Sequence, residues 1–187
     1  HIHIGRTASG KPVKITGSKT LTLHTILQCA SSQKGLDMIG VIDCHSPEVL
    51  VEIEGLIKRG EMNELAEGGL RFQETTLLLG SEIEVYDSHC HGPIHVLAYF
   101  PTIEKMKAFS DWMSNHVKNI SLSSQRIYVE GRALQQKVYE YDGLFVLAHV
   151  FTPFKSLYGK GVKRSLTEVF DPNYIDAIEL GLSSDTQ

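Results

Sequence analysis

Met38-Ile39-Gly40-Val41-Ile42-Asp43-Cys44-His45-Ser46-Pro47-Glu48 decides the fold. Its first five residues carry no polar side chain and are too few for a helix, so they read as a short buried strand. Ser46, Pro47 and Glu48 then give a cap, a proline at the first helical position and an acid near the positive end of the helix dipole. Val49, Leu50, Ile53, Leu56 and Ile57 continue as the apolar side of a helix that stops at Gly60. One strand thus passes directly into one helix, and Asp43, Cys44 and His45 stand at the C-terminal end of the strand.

The same unit recurs on both sides. Upstream, His1-Ile2-His3-Ile4 alternates like a strand, which turns its two imidazoles to one face. Residues 5–19 read as a polar loop, and 21–34 as a helix with Leu23, Ile26, Leu27 and Ala30 inward and Gly35 at its end. Downstream, the β-prone run 75–79 leads into Gly80-Ser81-Glu82-Ile83-Glu84, and Ile94-His95-Val96-Leu97-Ala98-Tyr99-Phe100 is a further strand. Pro101-Thr102 opens a helix with Ile103, Met106, Phe109 and Met113 inward, and another helix is expected over 130–141. Gly143-Leu144-Phe145-Val146-Leu147-Ala148-His149 is a buried strand ending in histidine; a helical stretch near 165–170 precedes a last strand over 175–180. There is no internal repeat and no low-complexity segment. Strands alternating with long helices predict βαβ units, hence an α/β fold with a mostly parallel sheet and its chemistry at the C-terminal strand ends.

A chain of 187 residues is one domain's worth and can bury a sizeable core. With 42% hydrophobic and 21% charged residues and a formal net charge of -4, the composition is that of a soluble globular protein and does not announce a nucleic-acid binder. No apolar stretch approaches the ~20 residues of a membrane span and nothing resembles a signal peptide, so no membrane partner is expected. Cys29, Cys44 and Cys90, odd in number and widely spaced, argue against a disulfide framework and for the cytoplasm. The first strand opens on a ligand candidate and the sequence stops just after another strand, so it reads as a piece of a longer polypeptide. The oligomeric state is not legible.

The polar residues at strand ends are, in order, His1, His3, His45, Glu82, His95 and His149, with Asp43, Glu84, Glu179 and Asp185 as further carboxylates. A single histidine in such a place is more often a hydrogen-bonded structural residue than a ligand. Six such positions at successive strand termini outweigh that reading. Five imidazoles and a carboxylate suit two or three divalent ions, with Glu82 as a bridge: zinc, manganese or iron rather than calcium, and magnesium left open. Such ions activate a water and neutralise a phosphoryl group, which makes phosphoester hydrolysis the natural reaction. His24 and His116 lie on helices and read as surface or core residues. His89, Cys90 and His91 admit a small zinc clip, although a polar turn suits the segment 86–92 better. Cys44 reads as a small apolar neighbour of its strand and not as a nucleophile.

His1-Ile2-His3, Asp43-Cys44-His45, Gly80-Ser81-Glu82, Ile94-His95-Val96-Leu97 and Ala148-His149 resemble, across the whole chain, the successive motifs of the polymerase and histidinol phosphatase (PHP) superfamily of metal-dependent phosphoesterases. The resemblance implies a distorted (β/α)7 TIM-like barrel truncated at its C-terminal end, with residues 1–187 forming a single PHP-type catalytic domain around a two- or three-metal centre. It implies His1, His3, His45, Glu82, His95 and His149 as metal ligands, Asp43 behind them, and Glu82, His149 and Asp43 as the catalytic set. Within that superfamily the stretches 5–14 and 149–161 resemble the bacterial branch of the endonuclease Q family. That implies a DNA endonuclease nicking on the 5′ side of deaminated bases such as uracil and hypoxanthine, a role in DNA repair, and further C-terminal domains in the same polypeptide. The superfamily ends its site with Asp-x-His on the final strand; here stand Ser184-Asp185-Thr186-Gln187, so either Asp185 fills the role imperfectly or, as the better expectation, the motif lies beyond the sequence given.

Apart from any resemblance, the loops that follow two ligand-bearing strands are basic. One carries Arg6, Lys11 and Lys14; the other carries Lys155, Lys160, Lys163 and Arg164, with Phe151, Phe154 and Tyr158 among them. Cations beside metal ions would meet phosphates, and rings would stack on an extruded base. Arg6, Lys11, Lys14, Lys155, Tyr158 and Lys160 are accordingly the candidates for substrate binding; solvated loops with apolar anchors are the plain alternative. A small-molecule phosphatase of the same superfamily and a non-catalytic metal-binding module are the competing readings of the whole.

Overall fold

The computed structural model describes residues 1–181; Asp185, expected near the final motif, lies outside them. In chain order the elements are α1 (Leu23–Gln28), which widens into a π turn over Cys29–Gln33, then β1 (Met38–Val41), α2 (Pro47–Lys58), β2 (Asn63–Glu64), β3 (Leu70–Phe72) and β4 (Thr75–Val85). There follow β5 (Ile94–Phe100), α3 (Ile103–Ser114), β6 (Arg126–Ile127), α4 (Gly131–Glu140) and β7 (Leu144–Leu147). Single helical turns at Leu157–Gly161, Leu166–Glu168 and Pro172–Tyr174 lead to β8 (Ala177–Ile178).

The helices begin where the sequence offers caps. Thr22 accepts the N–H of Thr25, Thr102 accepts that of Lys105, and Pro47 opens α2. Val49, Leu50, Ile53 and Leu56 bury one face of α2; at roughly 1.5–3 kcal/mol for each fully buried aliphatic side chain, that face holds the helix to the sheet.

β4 is the spine of the sheet. Its first half pairs parallel with β1, Val41 opposite Leu79, and antiparallel with β3, Leu70 opposite Leu77. Its second half pairs antiparallel with β5, Glu82 opposite Leu97, and its tip pairs parallel with β6. β5 runs antiparallel to β7, β7 parallel to β8, and Ile2 bridges in parallel to Val41. The closed, mostly parallel barrel expected from the sequence gives way to an open, mixed sheet whose order, β2-β3-β4-β5-β7-β8, does not return on itself. One cause is the link between β4 and β5. Residues 86–93 are fewer than the dozen or so that a parallel crossover needs, so β5 turns back as a hairpin partner.

Alternation along the strands separates two faces. Leu77, Leu79, Ile83, Val96, Ala98 and Phe145 pack against Ile53, Phe109, Leu134 and Phe170 in the main core, on the side of the helices. Ile42, Leu97 and Ala148 form a small second cluster, with Tyr99 and Val146 against it. The two-residue period therefore sends Glu82 and His95 away from the helices. Tyr99 lies so close over β4 that a Cβ on Gly80 would stand 2.6 Å from its ring. Among the described residues no helix is long and apolar enough to cross a membrane.

Candidate metal centre

Four imidazoles surround the buried carboxylate of Glu82. His95 Nδ1 lies 3.3 Å and His3 Nε2 3.5 Å from Oε1, while His1 Nε2 and His149 Nε2 each lie 3.8 Å from Oε2. Two groups result, His1 with His3 and Glu82, and Glu82 with His95 and His149; in each, the ligand atoms fall within 4.8 Å of one another. Two atoms sharing a tetrahedral zinc at about 2.0–2.2 Å stand about 3.4 Å apart. The spacings around Glu82 thus suit atoms on a common cation, and Glu82 is shared by both groups. The buried Nε2 of His95 has no hydrogen-bond partner, and the nearest carboxylate oxygen, on Glu84, is 3.7 Å away. A cluster that leaves such an atom unsatisfied and gathers four imidazoles about one carboxylate fits divalent cations.

Three of the histidines are held from behind. His1 Nδ1 lies 2.6 Å from Glu179 Oε1, His3 Nδ1 lies 3.2 Å from Asp43 Oδ2 and 2.9 Å from Ser123 Oγ, and His149 Nδ1 lies 3.1 Å from Thr152 Oγ1. Each ring therefore turns Nε2 toward Glu82, the arrangement in which a second partner orients a metal-binding imidazole. Asp43 also accepts the N–H of Ile4 at 2.7 Å, so it ties the N-terminal segment 1–4, which holds only the bridge at Ile2, to the end of β1 and stands behind the centre. Ser124 donates to Glu82 and accepts from Lys14 Nζ at 2.7 Å.

The local field is built by these contacts. Burial pushes the Glu82 carboxyl up, but the neighbouring His149 and His95 rings and the hydroxyl of Ser124 outweigh it and hold the group well below the usual carboxylate range. The nearby His95 ring, then Arg126 and Lys155, outweigh burial at Glu84 and bring it down to about 2. His95 is pushed down by burial and up, with larger joint effect, by Glu82 and Glu84, so it is raised. Three non-glycine residues here, Ser124, His149 and Lys155, have positive φ of 53°, 32° and 54°. Such backbone costs roughly 1–3 kcal/mol per residue and persists only where its surroundings enforce it. At His149 they do so on two sides: Glu179 Oε2 accepts its N–H at 3.0 Å, and Gly181 passes so near that a Cβ there would meet His149 Cβ at 2.9 Å.

Of the six expected ligands, five stand at this centre and His45 does not. It is wholly buried, Ser81 Oγ donates to its Nδ1 at 2.8 Å, and its Nε2 donates to the carbonyl of Leu122 at 3.0 Å. Burial lowers its pKa, and both nitrogens are spent on the fold. The cleft over the centre, about 360 Å³, is walled beyond the ligands by Lys14, Thr152, Phe154 and Lys155. Lys155 Nζ lies 3.2 Å from Glu84, Lys160 Nζ lies 4.9 Å above the ring of Phe154, and Tyr158 stacks on Phe151 with centroids 5.7 Å apart. Arg6 instead donates to Gly10 in its own loop, and Lys11 pairs with Glu48; neither lines the cleft. A larger groove of about 560 Å³ along Ile2, Leu21, Ile26 and Leu36 is apolar and carries none of this chemistry.

Ser123, Ser124 and Thr152 were invisible in the sequence, since serines and threonines in loops mark nothing by spacing. Glu179 stood there only as one more carboxylate. The segment around His89, Cys90 and His91 is a polar turn in which Asp87 Oδ1 takes the N–H of His89 and the thiol of Cys90, and among the described residues it forms no metal-ligating group. Burial pushes the thiol of Cys44 up to about 12, which leaves it protonated and no nucleophile.

Sheet and centre together make an α/β domain with a candidate site for divalent cations. The chain resembles the PHP type and, within it, endonuclease Q. The lesion-specific endonuclease PfuEndoQ of Pyrococcus furiosus matches 99% of this chain and 42% of its own, with a TM-score of 0.74 and 27% identity. An endonuclease Q solved with a 27-mer duplex that has an abasic lesion at the active site matches 98% of this chain and 43% of its own, with a TM-score of 0.74 and 26% identity. A Bifidobacterium adolescentis protein assigned as a metal-dependent phosphoesterase shares the fold, with a TM-score of 0.50 and 13% identity over 96% of this chain and 75% of that one. Among curated proteins, the uncharacterized YqxK of Bacillus subtilis (strain 168) is 63% identical over 186 residues, 100% of this chain and 48% of that protein. The chain therefore spans about half the length of the curated relative it matches. No family model matches the sequence.

Proposed function

We propose that residues 1–187 are the metal-binding catalytic domain of a DNA endonuclease that nicks on the 5′ side of deaminated bases, within a polypeptide that carries further C-terminal domains. The observation that carries this reading is the single buried carboxylate with four imidazole nitrogens 3.3–3.8 Å from its oxygens. His1, His3, Glu82, His95 and His149 would hold two ions. An imidazole-rich set with one carboxylate suits zinc, manganese or iron ahead of magnesium. Bound there, such ions lower the pKa of a water and offset charge on a phosphoryl group.

The chain's own residues supply the remainder. Lys14 and Lys155 on the walls of the cleft meet phosphate oxygens, with Lys160, Arg6 and Lys11 farther along the backbone of the nucleic acid. Phe154 in the cleft and the stacked pair Phe151 and Tyr158 offer ring faces to an unpaired base. Similarity to an endonuclease solved with a DNA duplex supports DNA as the substrate, and the loop sequences support deaminated bases. Three free cysteines support a reducing cytoplasm, where repair of DNA takes place.

The test is to incubate the full-length polypeptide and manganese with a duplex containing one uracil or hypoxanthine and, separately, with a simple phosphate monoester. Nicking 5′ of the lesion, lost in Glu82→Ala, is the expected result. Phosphate released from the monoester beside an uncut duplex would make the protein a small-molecule phosphatase. Inertness toward both, with metal bound, would make it a non-catalytic module.

A further inference from the structure

We infer that Glu179 is a positioning residue that readies two of the histidines at once: it fixes the protonation form of His1 and the backbone of His149. The inference rests on the metal-centre reading above. Glu179 Oε1 lies 2.6 Å from His1 Nδ1, and Oε2 lies 3.0 Å from the N–H of His149. That N–H can only donate. The imidazole must donate as well, because a lone pair on Nδ1 set 2.6 Å from a carboxylate oxygen would repel it. Nδ1 therefore carries the ring proton, and the lone pair of His1 sits on Nε2, the atom 3.8 Å from Glu82 Oε2. An unrestrained histidine prefers its proton on Nε2, the form that cannot ligate from that atom. Glu179 reverses the preference.

Its second oxygen acts on shape. His149 must leave β7 with φ of 32° and still point its ring at Glu82, and the bond from its N–H to Glu179 pins that turn. Glu179 is itself fixed, since its N–H goes to Leu147 O and its carbonyl accepts from Val150, both at 2.9 Å. Because each carboxylate oxygen faces a donor, glutamine is a poor substitute. Its one carbonyl can serve only one partner, and its NH2 group would face the other donor.

The experiment uses the full-length protein, wild type, Glu179→Ala, Glu179→Gln and Glu82→Ala. Manganese affinity is measured by calorimetry, and the histidine ring tautomers of the metal-free protein are read from nitrogen–proton NMR correlations. The expected results are a His1 proton on Nδ1 in the wild type, moved to Nε2 in Glu179→Ala, and manganese binding weakened about ten- to hundredfold in both Glu179 variants. Wild-type affinity in either Glu179 variant, or a His1 proton on Nε2 in the wild type, overturns the inference. If the wild type binds no manganese while His1 keeps its proton on Nδ1 only when Glu179 is present, the metal reading fails and the hold of Glu179 on His1 stands.

Discussion

Lys14 Nζ lies 3.8 Å from Oε1 of Glu82, so the carboxylate that would bridge two cations already has an ammonium group beside it. On the proposed reading, Lys14 rivals the metal before loading and meets phosphate afterwards. Two unit charges about 4 Å apart interact by ~1 kcal/mol even in bulk water, the lower bound beside the buried Glu82. Lys14→Met should therefore tighten manganese binding about fivefold while weakening binding of a short duplex. Calorimetry and fluorescence anisotropy read the two effects; weaker manganese binding in the variant would show that the lysine supports the cation instead.

The charge on His95 gives the metal-free and metal-loaded proteins opposite responses to pH. Between Glu82 and Glu84 its pKa is raised above the ordinary 6.5. The stability this brings is fully present below that value and is lost as pH rises through the higher folded-state pKa. A cation needs the neutral ring. Thermal midpoints in a chelator should fall from about pH 6 to about pH 8, and with manganese they should rise over the same span. Parallel trends in the two titrations would take His95 out of the ligand set.

His45 should matter for folding and little for metal. His45→Ala strands the carbonyl of Leu122 and the hydroxyl of Ser81 without their partner. Each unsatisfied buried group costs about 1–3 kcal/mol, so denaturant midpoints should drop while the number of manganese ions bound stays the same. One ion fewer in the variant would return His45 to the centre.

Lysines on the cleft wall and lysines outside it should separate by salt. Lys155 lines the cleft, whereas Lys11 is engaged with Glu48 outside it. Lys155→Ala should reduce the slope of log affinity for DNA against log salt by about 0.9, and Lys11→Ala should reduce it less. Equal slopes for wild type and Lys155→Ala would show that this loop touches no phosphate.

Much of this centre was legible before any coordinates. Alternation put His1 and His3 on one face, and the end of each apolar run located Glu82, His95 and His149. The placement of His45 has a physical origin: a position just past a strand does not say to which side the ring turns, and here a serine and a carbonyl inside the protein hold it. The hairpin β2–β3 escaped because its residues, Asn63–Glu64 and Leu70–Phe72, are too few to show a period. The direction of β5 could have been read from the short link before it. The pairing of Glu179 with His1 could not, because nothing local reveals which carboxylate arrives beside a residue 178 positions away.

That long separation also sets when the site can exist. Bringing such distant residues together is the slow, entropically demanding part of folding, and it happens only after the intervening strands are in register. A growing chain that has not yet reached His149 lacks one of the two ligand groups, and one that has not reached Glu179 lacks the brace for both His1 and His149. The centre is thus incomplete until residue 179 has been made, and a copy truncated before that point lacks the brace on both histidines.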